Sequence, residues 1–226
     1  MMLTRRAAAV DLAIVLAAIT VAWASSRFVI YPALGIPDYA PLVLRPIIGF
    51  LVAWWVLHRR GTSWASLGLR KPSSIGLAVA ITVGAYLVEL AVWQWVVPML
   101  ADWFHPTQRP SFLGHLHGNA AALVAWLAVA WLVGGICEEC LFRGFLLNRV
   151  EASLGGGPAA LAGGVLAQAA LFGTLHLYGG TFAFMYAALF GVVYAVVYLI
   201  ARRNLWPTIV VHGVADSVAF WGVYTG

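Results

Sequence analysis

Four carboxylic acids and two histidines stand inside stretches of this 226-residue chain that are otherwise apolar. The acids are Glu89, Glu138, Glu139 and Asp216, and the histidines are His176 and His212. The other acids (Asp11, Asp38, Asp102 and Glu151) fall in loops or near the ends of those stretches, as do His58, His105, His115 and His117. A charged group at mid-bilayer costs at least about 2.5–3.5 kcal/mol on insertion scales, so such residues pair, line a wet cavity, or do chemistry.

Their spacing is informative. Glu138-Glu139-Cys140-Leu141-Phe142-Arg143 reads E-E-x-x-x-R. At about 100° per residue, Glu139 and Arg143 share one helix face as an i,i+4 pair, and Glu138 points about 100° away. Arg143 neutralises Glu139, and Glu138 remains free for general-base work in a desolvated site. Phe172-Gly-Thr-Leu-His176 sets an aromatic ring one turn before a histidine, and His212-Gly-Val-Ala-Asp216 sets a histidine and an acid on one face. The Asp216 carboxylate is placed to hold the His212 ring in one tautomer. A lone intramembrane histidine or Glu–Arg pair often only joins helices. Three such sets on three successive apolar segments point beyond that.

The elements that must position these groups are helices in a bilayer. The chain is 63% hydrophobic and 9% charged, against roughly 45–50% and about 25% for soluble domains. We expect an all-α, polytopic transmembrane helix bundle of about seven spans, at about 10–33, 39–57, 75–100, 119–148, 158–178, 181–201 and 205–225. Most are near the 20 residues that about 30 Å of hydrocarbon requires. The seventh, interrupted by polar groups, must face other helices. Turn residues such as Gly155-Gly156-Gly157-Pro158 and Gly179-Gly180 separate the spans. With the N-terminus inside, ten basic residues lie on the inner side and Arg27, Arg45 and Arg109 lie outside, a positive-inside bias toward a multi-pass cell-membrane protein with a cytoplasmic N-terminus. The net charge of +5 therefore reads as topology, and no basic stripe with interleaved aromatics suggests nucleic acid. Cys137 and Cys140 lie inside an apolar helix and read as small apolar side chains, not a redox pair.

The patterns E-E-x-x-x-R, F-x-x-x-H and H-x-x-x-D, in this order, make the chain resemble the CPBP family of intramembrane proteases. That family includes type II CAAX prenyl endopeptidases and bacterial abortive-infection proteins. The resemblance covers roughly residues 119–220 and divides the chain into three N-terminal helices (1–118) and a protease core (119–226). It implies an endopeptidase acting on a protein or peptide substrate. Glu138 would activate water with help from His176, His212 and residue 216 would bind the oxyanion, and Glu139 and Arg143 would support the site. No cofactor is needed for this chemistry. The competing chemistry is a zinc protease with Glu138, His176 and His212 as ligands. Family members often have Asn where Asp216 stands; an ionised Asp cannot donate to an oxyanion, so either Asp216 stays protonated in its apolar site or, as we expect, it orients His212, which alone donates.

With straight spans His176 falls near the outer end of its helix, far from Glu138, unless that helix is tilted, or begins outside the bilayer and is longer than its apolar run. Glu89 is unassigned: it pairs with a site residue or lies along Gln94. His115-x-His117 reads as an interfacial loop, with too few ligands for zinc. A non-catalytic membrane partner in immunity or envelope regulation, and an ion or proton relay through Glu89, Glu138 and Glu139, are the alternative functions. No inverted repeat supports the relay.

Overall fold

The computed structural model describes residues 3–30, 33, 40–106 and 111–226. These residues form seven long helices and contain no strand. They are α1 (Arg5–Ser25), α2 (Ala40–Arg59), α3 (Ile75–Phe104), α4 (Ala120–Ser153), α5 (Pro158–Leu175), α6 (Gly180–Ile200) and α7 (Trp206–Thr225). Five segments are long and apolar enough to cross a membrane on length and composition. Helix α2 carries Arg45 and Pro46 inside it, and α7 carries His212 and Asp216. The outer face of α3 exposes Val79, Val83, Leu87 and Trp95, a surface suited to lipid and not to water. The protein is a polytopic helical bundle.

Helix α4 departs from regular α geometry. It is π-helical over Ala130–Glu138 and again over Cys140–Leu146, where the backbone bonds run i→i+5 and the turn widens. Helix α3 has a π turn at Val92–Val96, just before Pro98. A proline ring clashes with the carbonyl of residue i−4, here Gln94, and supplies no N–H, which forces the ladder to slip.

Helix α4 also runs further than its apolar pattern suggested, to Ser153. Its 34 residues reach at most about 50 Å at 1.5 Å per residue, against about 30 Å of hydrocarbon. A tight connection follows, in which Gly155, Gly156 and Gly157 all have positive φ, a conformation that favours glycine. Helix α5 then runs back antiparallel to α4. Gly164 lies so close to α4 that a Cβ there would sit 2.8 Å from the Leu147 carbonyl oxygen, and two turns on Phe172 meets Phe142 at 5.1 Å between rings. One further turn carries His176 to the cavity that His212 also lines. The separation expected from straight spans is therefore removed by the overhang of α4. Helix α6 packs back on α5 through Gly191 and Gly173, which approach Ala169 and Phe184, the small-residue packing that membrane helices use.

Asp11, expected near a span end, is instead 1% exposed. It pairs with Arg60 at 2.6 Å and Arg149 at 3.1 Å, tying α1 to the end of α2 and to the overhang of α4. Glu151, expected in a loop, lies within α4 and pairs with Arg203 at 2.8 Å. Removing one member of a buried ion pair typically costs about 3–5 kcal/mol. Asp11→Leu should therefore lower the melting temperature in detergent sharply, and adding Arg149→Met should recover much of the loss.

Candidate active site

Arg143 and Glu139 form an ion pair at 2.7 Å with both side chains fully buried. Arg143 also donates to the Phe190 carbonyl at 3.4 Å. Its guanidinium lies 4.7 Å from the Phe172 ring centre and 5.1 Å from that of Tyr194. A fully buried arginine is tolerable only with this kind of pairing and cation–π contact.

The same Glu139 oxygen accepts from Nδ1 of His212 at 2.8 Å. A carboxylate paired with arginine can only accept, so Nδ1 carries the proton. The acid that orients His212 is thus Glu139, not Asp216 as the spacing suggested. Asp216 lies on the other side of the ring, with Oδ2 3.7 Å from Nε2. Glu138 reaches the same nitrogen at 3.9 Å. Neighbouring residues about 100° apart on a regular helix would not both face one imidazole. The wide π turns of α4 let Glu138 and Glu139 do so. Gly134 makes room on α4 for α7: a Cβ there would come 2.7 Å from Asp216 Oδ2 and 3.4 Å from His212 Nε2.

His176 caps the C-terminus of α5. Its Nδ1 stands 3.0 Å from the Phe172 carbonyl oxygen. A carbonyl only accepts, so the proton is on Nδ1 and the Nε2 lone pair is free. His176 is joined to the other site residues by ring contacts: Phe172 lies 4.9 Å from His176 and 6.1 Å from His212. Arg45 of α2 donates to the Leu175 carbonyl at 3.3 Å, satisfying one orphan acceptor at the α5 terminus. His176, His212 and Asp216 line one cavity of about 280 Å³, together with Phe172, Glu89 and Tyr194.

Glu89 does not lie along Gln94. It is 2% exposed and accepts from the Tyr194 hydroxyl at 2.9 Å. Arg45 and Tyr194 were not singled out from sequence, since neither belongs to a spaced motif. His115 accepts from the Trp126 indole at 3.3 Å and stands apart from the cavity. Cys137 and Cys140 are free thiols, and Cys140 packs in the core. Among the described residues no three His, Cys, Asp or Glu side chains gather to hold a metal ion.

Residues 120–218 match a family model described as type II CAAX prenyl endopeptidase Rce1-like. Over this segment, less than half of the chain, the protein is similar to the CAAX protease (CPBP) family. The matched segment runs from the start of α4 into α7 and contains every residue of the ion pair, both histidines and Asp216. Helices α1 to α3, with Glu89, lie outside it. No curated protein and no solved structure matches the chain.

The buried pair sets a stability expectation for this segment. Glu139→Leu leaves the Arg143 charge unpaired at 0% exposure, a loss of about 3–5 kcal/mol, and should yield aggregated protein on size exclusion. Replacing both partners by Leu and Met should restore a monodisperse, folded and inactive protein.

Proposed function

We propose that the protein is an intramembrane endopeptidase that hydrolyses a peptide bond with water activated by Glu138 and assisted by His176. The observation that carries the reading is the setting of His212. Its Nδ1 is held by a carboxylate neutralised by Arg143, and its Nε2 faces Glu138 and Asp216 on the wall of a cavity shared with His176. The family of type II CAAX endopeptidases supports the same reaction class.

In this mechanism Glu138 takes a proton from the water, whose second hydrogen is bonded to the free Nε2 of His176. The water oxygen adds to the scissile carbonyl carbon, and the carbonyl electrons move onto its oxygen. That oxyanion is received by Nε2–H of a doubly protonated His212 ring, whose charge is balanced by the surrounding carboxyl groups, and by Asp216 in its protonated form. Glu138 then returns the proton to the amide nitrogen, and the C–N bond breaks. Asp216 acts here as a donor, because Glu139 already holds His212. The substrate is a protein or peptide segment extended enough to enter between helices, of the kind processed near a C-terminus, a leader or a tag.

The N-terminus is assigned to the cytoplasm of a multi-pass cell-membrane protein. Arg143 is a buried site residue, and Arg45 reaches into the bundle to the end of α5. Without them the basic residues divide nine inside to two outside, a sharper positive-inside bias than before.

The test uses purified protein in detergent on a quenched peptide library, with and without a zinc chelator. Glu138→Gln and His176→Ala should each lower kcat by about 10²–10⁴-fold, and chelation should leave wild-type cleavage unchanged. Loss on chelation with rescue by zinc would replace this chemistry by a metal-dependent one. Cleavage that survives Glu138→Gln would overturn the role of Glu138, and a cleavage-dead Glu138→Gln variant that still complements a deletion would favour a non-catalytic partner. For Asp216, the Asn variant keeps a donor and should retain activity, whereas Asp216→Ala should lose about 10²–10³-fold in kcat, the effect of removing one oxyanion donor.

A further inference from the structure

Glu89 is a carboxyl group carried into the bundle on α3, 2% exposed and outside the segment that matches the protease family. A buried carboxyl without a partner is costly, and its partner is Tyr194 of α6, whose hydroxyl donates to Oε2 at 2.9 Å. The Tyr194 ring stands 5.2 Å from the His212 ring and 5.1 Å from the Arg143 guanidinium. One hydrogen bond therefore connects Glu89 to the side chain packed on two members of the site. Glu89 also borders the cavity that His176, His212 and Asp216 line.

The Glu139 bond fixes the Nδ1 end of His212 but leaves the ring free to swing about that contact. Ring packing must remove this freedom, and Tyr194 with Phe172 provides it. The orientation of a buried tyrosine is set in turn by where its hydroxyl finds a partner. We propose that Glu89 is a positioning residue of the hydrolytic site: through its hydrogen bond it holds Tyr194 against His212 and Arg143, and so keeps His212 Nε2 directed at the cavity. Helix α3 then completes a site whose other residues all come from α4, α5 and α7. This inference rests on the endopeptidase reading for its kinetic consequence, but the ring geometry is measurable without it.

The experiment compares wild type, Glu89→Leu, Glu89→Gln, Tyr194→Phe and the Glu89→Leu/Tyr194→Phe double variant in detergent micelles. Ring-¹⁵N-histidine labelling reports on His212, whose resonances are assigned by their loss in His212→Gln. Glu89→Leu and Tyr194→Phe should each shift the His212 ring resonances, and the double variant should shift them no further. Glu89→Gln, whose amide oxygen still accepts from the tyrosine hydroxyl, should return them to the wild-type position. On a peptide that wild type cleaves, kcat should fall about 10–100-fold in the Leu and Phe variants, as for lost outer-shell partners of a site histidine. KM should stay nearly constant, the mark of an interaction made only in the transition state. His212 resonances that do not move in folded Glu89→Leu, or shifts that add in the double variant, would overturn the proposal and leave Glu89 as a tie between α3 and α6. Tyr194→Phe removes a single oxygen and keeps the comparison open if Glu89→Leu does not fold. Should wild type cleave no peptide, or Glu138→Gln cleave like wild type, the hydrolytic reading or its Glu138 mechanism fails alone, and the resonances still decide the role of Glu89.

Discussion

The bundle is organised around one fully buried arginine. Arg143 has no access to solvent, and its charge is met by Glu139, by the Phe190 carbonyl and by the faces of Phe172 and Tyr194. Those partners belong to α4, α5 and α6, and Glu139 extends the set to α7 through His212. An unpaired guanidinium in this place would cost more than a domain of this size can spare. Four helices must therefore converge on it, and the convergence is what brings Glu138 and Asp216 to His212 and sets His212, Asp216 and His176 around a single cavity.

The second constraint is the shape of α4. On a regular helix Glu138 and Glu139 would look in directions about 100° apart. The π geometry on either side of Glu139 turns both toward His212, one at each ring nitrogen. The two neighbours have different settings. Glu139 is neutralised by Arg143 and fully buried, whereas among the described residues the nearest basic side chain to Glu138 is His212 at 3.9 Å. Local backbone widening is a recurrent feature of functional helices, and here it converts a sequence dipeptide into a divided pair of roles.

Much of this was legible in the residues. The helical bundle followed from composition and from the length of the apolar runs. The Glu139–Arg143 pair followed from i,i+4 spacing, which survives even in the widened helix. Other features had no local signal. The acid hydrogen-bonded to His212 comes from another helix, and the i,i+4 neighbour Asp216 stands at the opposite ring nitrogen at the longer distance of 3.7 Å. Asp11 sits six residues from the start of its helix, and nothing nearby announces that Arg60 and Arg149 come to it from afar. The position of His176 depended on how far α4 runs past its apolar stretch. That was hidden because the added turns contain Asn148, Arg149 and Glu151, polar residues that look like a loop until Asp11 and Arg203 are seen to meet them.

The pairing of His212 with Glu139 also bears on how the protein is made. Helix α4 carries its own neutralising partner and can enter the membrane as an ion pair within one segment. Helix α7 has only the looser His212–Asp216 contact at 3.7 Å within itself, and its closest partner is Glu139 of α4 at 2.8 Å, which the ribosome has already delivered. Its placement is therefore a docking event onto an existing bundle rather than an independent insertion. A nascent chain that has completed α4 to α6 would hold a neutralised but chemically idle interior. Hydrolytic competence would arrive in a single step, when α7 slides into the seam left open beside Gly134.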